Sequence, residues 1–208
     1  MGTIEMGLNT MVLVPKEGRV HKQVTNLPDL PGSGFSCIPE KSDYERLVGR
    51  SINFLKDERW GLDNMIPSCE MKVVDDPRWA SGCVCIISMD WIKGQPLSEM
   101  RRLSANVGSQ LAYFLERCTK MAEVTKKEAG YPVLPDLLGG VHRAHDEFRN
   151  FVVEDGSNKL YFVDMYPLAE ISSWVARRKY SKVLRRAAER TACEEVVVAA
   201  RVLASKIS

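Results

Sequence analysis

The chain has 208 residues, 45% of them apolar and 27% charged, with a formal net charge of +2. These values exclude a disordered chain, and a length near 200 residues lets one domain, or two small lobes, bury roughly 70% of the unfolded surface without a disulfide or a metal. The longest apolar runs, Val84 to Ile87 and Val196 to Ala200, fall far short of the ~20 residues that a bilayer-spanning helix needs, and Met1 to Met6 shows no leader pattern. The expectation is a soluble, cytoplasmic protein without membrane contact; the near-neutral charge gives no global argument for nucleic acid, which is not expected as a partner.

Six cysteines stand at Cys37, Cys69, Cys83, Cys85, Cys118 and Cys193, with no C-x-x-C spacing and no histidines at finger offsets. A structural zinc site is not expected. Cys83 and Cys85 alternate along an apolar stretch, where free thiols act as small hydrophobes on one face of a strand.

Along the chain, Thr10 to Val14 and Arg19 to Val24 flank a turn that ends in Gly18, which reads as a hairpin. The Pro- and Gly-rich stretch 25–40 reads as loop. Ser42 to Glu45 has the spacing of a capping box and opens a helix whose apolar face holds Tyr44, Leu47, Val48 and Leu55. A strand is predicted over Glu70 to Val74 and another over Gly82 to Asp90, rich in β-branched residues. Residues 97–128 read as one long helix with Leu103, Val107, Leu111, Phe114, Leu115 and Met121 on its apolar stripe, stopped by Gly130-Tyr-Pro. A helical turn is predicted near Asp136 to Leu138, then a second hairpin from Asn150 to Val153 and Leu160 to Val163. From Ser172 onward two helices are predicted, broken near Thr191. The first of them carries Arg177, Arg178, Lys179, Lys182, Arg185, Arg186 and Arg190, with Trp174, Val175, Val183 and Leu184 expected to face the core. Such a run is ordinarily a solvated face; the other readings are a dock for an acidic or phosphorylated substrate or for nucleic acid. The fold class is α+β, with a cleft expected between a β-rich half and a helical half.

Three features carry chemistry. Lys22 lies on the second strand of the first hairpin. Met89-Asp-Trp-Ile-Lys-Gly-Gln-Pro-Leu97 leaves a strand for a turn. Asn150 and Asp164 stand at the two ends of a hairpin, 14 residues apart. A hairpin returns its ends to one place, so Asn150 and Asp164 could share a hard cation through oxygen, as Mg²⁺ prefers.

In this order the three features resemble the protein-kinase-like fold, and most closely its small bacterial members of the aminoglycoside phosphotransferase type. The resemblance covers roughly residues 7–170. It implies a two-lobed fold with a reduced β-rich N-lobe over 1–89, a hinge over 90–96 and a short helical C-lobe over 97–208. It further implies that Lys22, paired with Glu45, binds the ATP phosphates; that the backbone of Met89, Asp90 and Trp91 reads adenine; and that Asn150 and Asp164 hold Mg²⁺. The stretch Gly7 to Thr10 stands where the phosphate-covering loop would lie, and is shorter than that loop.

The catalytic loop departs from the family pattern. Its segment reads Val141-His-Arg-Ala-His-Asp-Glu-Phe-Arg-Asn150, and the position five before Asn150, where the family places its base, is His145. Asp146 is the general base if the loop is one residue shorter, Asp136 is the base if the loop is longer, and the base is lost if His142-Arg-Ala replaces the family's H-R-D. His142 and His145 alone, without a third ligand, do not make a zinc site. Asp164-Met-Tyr-Pro replaces the D-F-G of protein kinases. The expected activity is ATP- and Mg-dependent transfer of the γ-phosphoryl group to a hydroxyl of a small molecule or a protein. The alternative is a pseudokinase, a binding module that keeps the fold without catalysis.

Overall fold

The computed structural model describes residues 5–6, 10–16, 18–24, 27, 38–138 and 148–208. The chain folds as two compact units. The first takes residues 1–54, 67–91 and 165–167; the second takes 55–66, 92–164 and 168–208.

The first unit is a five-stranded sheet and one helix. Strands β1 (Glu5–Met6), β2 (Thr10–Lys16), β3 (Arg19–Val24), β4 (Cys69–Asp75) and β5 (Cys83–Asp90) lie in the order β1-β2-β3-β5-β4, all antiparallel. β5 is the central spine, paired to β3 with Val20 opposite Met89 and Val24 opposite Cys85, and to β4 with Val73 opposite Cys85. Directly paired residues share a face, and side chains alternate along a strand. Val20, Lys22, Val24, Cys83, Cys85, Ile87 and Met89 therefore point to one side of the sheet, and all but Lys22 are buried. Helix α1 (Lys41–Leu55) covers that side: its Tyr44 is buried with its hydroxyl near Ser81, Cys83 and Cys85, and the Cε of Met71 on β4 packs close to Gly49.

The start of α1 differs from the predicted capping box. The helix begins at Lys41, and the Asp43 carboxylate accepts from the Glu40 backbone N–H at 3.0 Å and from Arg46 at 3.0 Å. Asp43 thus supplies the reciprocal half of the cap that the spacing assigns to Glu45, and the helix starts correspondingly earlier. Of the stretch 25–40 the described residues are Leu27, which is buried, and 38–40.

The second unit is built on α2 (Ala105–Ala129). The predicted helix over 97–128 is shorter in the structure: Leu97–Glu99 form a single 3₁₀ turn, and the helix waits for Ser104, whose hydroxyl accepts from Val107 N–H. A Ser side chain competes with backbone bonding inside a helix and satisfies orphan donors at its start, so the boundary falls there. Leu103 is accordingly outside the helix, while Val107, Leu111, Phe114, Leu115 and Met121 form the buried stripe. Phe114 meets Phe151 edge-on at 5.0 Å and Phe162 at 5.4 Å, and Phe148 meets Phe151 edge-on at 5.9 Å.

Around this aromatic core run two small sheets. One joins β6 (Gly94–Pro96), β8 (Phe151–Glu154) and β9 (Leu160–Phe162); the other pairs β7 (Val133–Pro135) with β10 (Leu168–Glu170). Residues 55–66 are pinned to α2 by the Tyr113 hydroxyl donating to Gly61 O at 3.1 Å and by Lys120 donating to Arg59 O at 2.8 Å. Helices α3 (Trp174–Arg190) and α4 (Glu194–Ile207) complete the unit, with α4 packed between α2 and α3. Trp174 and Val175, expected in the core, are each 66% exposed. They occupy the first turn of α3, directly after the cap Ser173, on the same arc as its cations, whereas Tyr180, Leu184, Ala187 and Ala188 supply the buried side.

Among the described residues no helix is long and apolar enough to cross a membrane, and the described cysteines are free thiols. Burial pushes the Cys85 thiol up to about 12 and raises Cys118 further. The neutral thiol is the form that the core tolerates, so stability is fully present below the unfolded-state value of 9.0 and falls as pH rises from there toward 12. In the folded protein, iodoacetamide at pH 8 should label Cys193 and spare Cys83, Cys85 and Cys118, read by peptide mass spectrometry; equal labelling of all four would contradict this packing. Gly94 supplies a second check. A Cβ there would collide with the Val153 carbonyl oxygen and stand 2.7 Å from its carbon, both backbone atoms of the paired strand. Gly94→Ala should cost about 2–3 kcal/mol, lowering the melting temperature by about 4–12 °C in differential scanning calorimetry.

Candidate functional site

The second unit brings three polar residues of the described chain to one place: Asp136, Asn150 and Asp164. Each arrives by a different local device. Asp136 follows β7, where the two leucines after it are buried and the Asp136 carboxylate accepts from the Leu138 N–H at 3.2 Å, the geometry of an Asx turn. Asn150 precedes β8 in a tight turn closed by the Phe151 N–H on the Phe148 carbonyl at 3.1 Å. Phe148 holds a left-handed backbone, φ 59°, with its ring buried in the aromatic core. A bulky side chain in that region costs on the order of 1–3 kcal/mol, offset here by ring burial, and the result is a fixed exit direction for Asn150. Asp164 follows β9, and the Val163 N–H donates to the Asn150 carbonyl at 2.8 Å, which closes the base of the hairpin.

The Asn150 side chain, 8% exposed, ties the three together. Its amide nitrogen donates to the Asp136 carbonyl oxygen at 2.8 Å and to Asp164 Oδ2 at 3.1 Å. Both amide protons are thereby used, which fixes the amide so that Oδ1 is the group turned to other chemistry. Behind Asp136 stands Tyr180 of α3, 3% exposed, with its hydroxyl against the Leu137 backbone and the Asp136 charge but closing no well-formed hydrogen bond to either. Burial first, and the Asp136 carboxylate second, push its ionisation well above the usual phenol range, so it is a neutral hydroxyl at any physiological pH. Nothing in the sequence marks Tyr180; its place in the α3 pattern looks like any buried core position.

The other expected residues belong to the first unit or fall outside the described residues. Lys22, half-buried on β3, lies opposite Ile87 on the face that α1 covers, so its stem runs among apolar side chains. Glu45 is exposed on α1, and among the described residues no ion pair joins it to Lys22. Met89 is buried in the sheet, Asp90 is exposed, and Trp91 is 47% exposed. The Asp90 N–H donates to the Ser68 carbonyl at 3.0 Å and the Trp91 N–H to the Gly18 carbonyl at 2.9 Å, so both donors are already used inside the protein. Asp146, His142 and His145 lie outside the described residues, as do Gly7 to Asn9. No cluster of three or more His, Cys, Asp or Glu suited to a metal occurs among the described residues.

No known protein family matches the chain, and no curated protein does. Among solved structures the chain is similar to an aminoglycoside phosphotransferase from Alicyclobacillus acidocaldarius, with 10% identity, a TM-score of 0.45, and coverage of 99% of this chain and 74% of that one. The likeness is loose, and the weight of any functional reading falls on the residues themselves.

The geometry makes Asn150 a quantitative test. Asn150→Ala removes one donor from the Asp136 carbonyl and one from the Asp164 carboxylate in a largely buried setting, a loss of about 1–3 kcal/mol by chemical denaturation. Asn150→Asp should be worse at pH 7, because it sets a carboxylate beside Asp164 and the Asp136 carbonyl. The mutual repulsion raises the pair's proton affinity, so this variant should regain stability relative to wild type as pH falls from 7 toward 4. A parallel pH profile for the two proteins would show that the pair does not interact.

Proposed function

We propose that the chain is a kinase-like phosphotransferase that uses Mg·ATP and passes the γ-phosphoryl group to a hydroxyl. The observation that carries this reading is the Asn150–Asp164 pair, an amide and a carboxylate 3.1 Å apart at the base of a hairpin. The donor set suits magnesium: an amide oxygen and a carboxylate are hard oxygen ligands, and Mg²⁺ is ordinarily held by one or two protein groups, with phosphates and water filling the rest. In this reading Asn150 Oδ1 and the Asp164 carboxylate hold the ion, which would supply charge neutralisation to the transferring phosphoryl group.

The chain's own residues take the remaining roles. Lys22 provides a fixed cation for the nucleotide phosphates, with Glu45 as the carboxylate that steadies it once nucleotide is bound. Trp91 offers an exposed ring for the adenine face, a role that needs no free backbone donor at 90 or 91. Asp146 is the residue assigned to orient the acceptor hydroxyl, with Asp136 as the alternative; Asp136 already directs its carboxylate to the Leu138 amide. Asn150, by donating to Asp164, holds that carboxylate in one rotamer before any ligand arrives, so ligand binding loses less side-chain entropy.

A second reading is a nucleotide- or partner-binding module without turnover. Two observations favour it: His145 stands five before Asn150, and the Asp90 and Trp91 donors are spent on Ser68 and Gly18.

Thermal unfolding with and without Mg·ATP separates these readings from an unrelated fold. A ligand at 100 times its dissociation constant stabilises by about 2.7 kcal/mol, a shift of several degrees at this size. Wild type should shift, Asp164→Ala should not, and Lys22→Ala should shift less. If wild type shows no shift at millimolar nucleotide, the phosphotransferase reading and the nucleotide-binding reading both fail. If it shifts, ADP release in the presence of Mg·ATP decides between them, and Asp146→Asn against Asp136→Asn then identifies the base: the correct one loses at least a hundredfold in turnover while keeping the thermal shift.

A further inference from the structure

The near-neutral net charge conceals a segregated surface. On α3, Arg178, Lys179, Lys182, Arg185 and Arg186 are all exposed, and among the described residues none is within ion-pair distance of a carboxylate. Several cations elsewhere do pair, Arg46 with Asp43, Arg59 with Asp57 and Glu128, Arg78 with Asp76 and Lys206 with Glu123, whereas α3 gathers five exposed ones on one helix. At 100° per residue the five fall on one arc of the helix, opposite the buried Tyr180, Leu184, Ala187 and Ala188. Glu189 is the one acid on that arc and forms no ion pair with its neighbours. The face is not flat: Arg178, Lys182, Arg185 and Arg186 line a depression of about 370 Å³ together with Ser181, Ser208 and the one carboxylate, Glu189.

A second feature lies on the same arc. Trp174 opens the helix with 66% of its surface exposed, and the Arg178 guanidinium sits 5.5 Å over its ring. Five like charges along one helix repel one another unless an anion joins them, and Trp174 keeps most of its surface open to a stacking partner. Arginines with a forked donor geometry match phosphate, and an exposed ring beside a cationic track is the arrangement on which unpaired bases stack.

We propose that the outer face of α3 binds single-stranded nucleic acid, with Arg178, Lys179, Lys182, Arg185 and Arg186 on backbone phosphates and Trp174 stacked on an unpaired base. An anionic membrane fits less well, because the apolar side of α3 is buried against the rest of its unit and its exposed large apolar residues, Trp174 and Val175, sit at one end of the track. An acidic polypeptide would satisfy the cations and leave Trp174 without a role.

The test uses the full chain and fluorescence anisotropy of a labelled 12-nucleotide single strand, as RNA and as DNA, titrated at several salt concentrations. With five phosphate contacts, log K should fall against log salt with a slope of about −3.5, at about −0.7 per contact. The triple variant Lys182→Ala, Arg185→Ala, Arg186→Ala should bring the slope to about −1.4. Trp174→Ala should weaken binding by about tenfold to a hundredfold at fixed salt without changing the slope, and Trp174→Phe should recover most of that loss. All four substituted side chains are exposed, so unchanged melting temperatures check that folding is intact. The proposal is overturned if the strand fails to bind at about 100 μM protein in low salt, if polyglutamate competes as well as the strand while Trp174→Ala has no effect, or if phosphatidylserine vesicles bind and the strand does not.

Discussion

One buried amide group sets the geometry of the second unit. Asn150 reaches the carbonyl of the residue that follows β7 and the carboxylate that follows β9, while its own backbone carbonyl takes the N–H of Val163. Three stretches apart in sequence are thus fastened at one residue, and each bond forms where water is largely excluded. An unmet donor in that setting costs about as much as a good hydrogen bond provides, so the amide tolerates one arrangement of the three stretches and penalises the rest. The aromatic core supplies the force and the amide supplies the register. Phe151 and Phe162, the first and last residues of the hairpin strands, stack against Phe114, and this packing brings Asn150 and Asp164 within reach of each other. The strained turn at Phe148 belongs to the same arrangement, since its ring is anchored in that core.

In the first unit the corresponding constraint is the central strand. β5 pairs on both sides and places four alternate side chains, Cys83, Cys85, Ile87 and Met89, under α1. Lys22 stands on that apolar face as its one charged member among the described β3 and β5 residues. A lysine there has apolar neighbours along its stem, unlike a lysine on the solvent face of the same strand. That is a physical reason to look for chemistry at Lys22, and it is a reason the alternation of the sequence alone contains: Val20, Lys22 and Val24 share a parity.

Much of this architecture is legible in the sequence. The two hairpins, the strand at Cys83–Asp90, the stripe of α2 and the break near Thr191 arise from alternation, 3.6-residue periodicity and turn residues, which are local signals. The elements that escape have a common cause. β6, β7 and β10 are three residues each, too short to show a period, and β7 finds β10 across more than thirty residues of chain. The start of α2 is blurred because Leu97 and Leu103 continue the apolar stripe while Ser104 takes the cap. Trp174 and Val175 are exposed although their apolar character predicts burial; at the first turn of a helix whose buried arc is set by Tyr180 and Leu184, angular position outweighs hydrophobicity. At the candidate site, the hairpin spacing is enough to pair Asn150 with Asp164. The role of the Asp136 carbonyl is invisible, since a backbone atom leaves no mark in a sequence, and Asp146 falls in the stretch 139–147 outside the described residues.

Helix α3 joins the two themes of the second unit. Its inner side carries Tyr180 against Asp136, and its outer side carries the unpaired cations and Trp174. The two sides are separated by the width of one helix, about 10 Å, and the helix is tied to α4 by the Ser181 hydroxyl donating to the Ala204 carbonyl at 3.2 Å. The Tyr180 hydroxyl is buried without a well-formed hydrogen bond, a cost of the order of 1–3 kcal/mol that the surrounding packing offsets. Such a group has more to gain from a small movement than a satisfied one. On this one helix the inner side therefore holds a neutral hydroxyl beside a carboxylate, while the outer side holds the cations and the exposed ring.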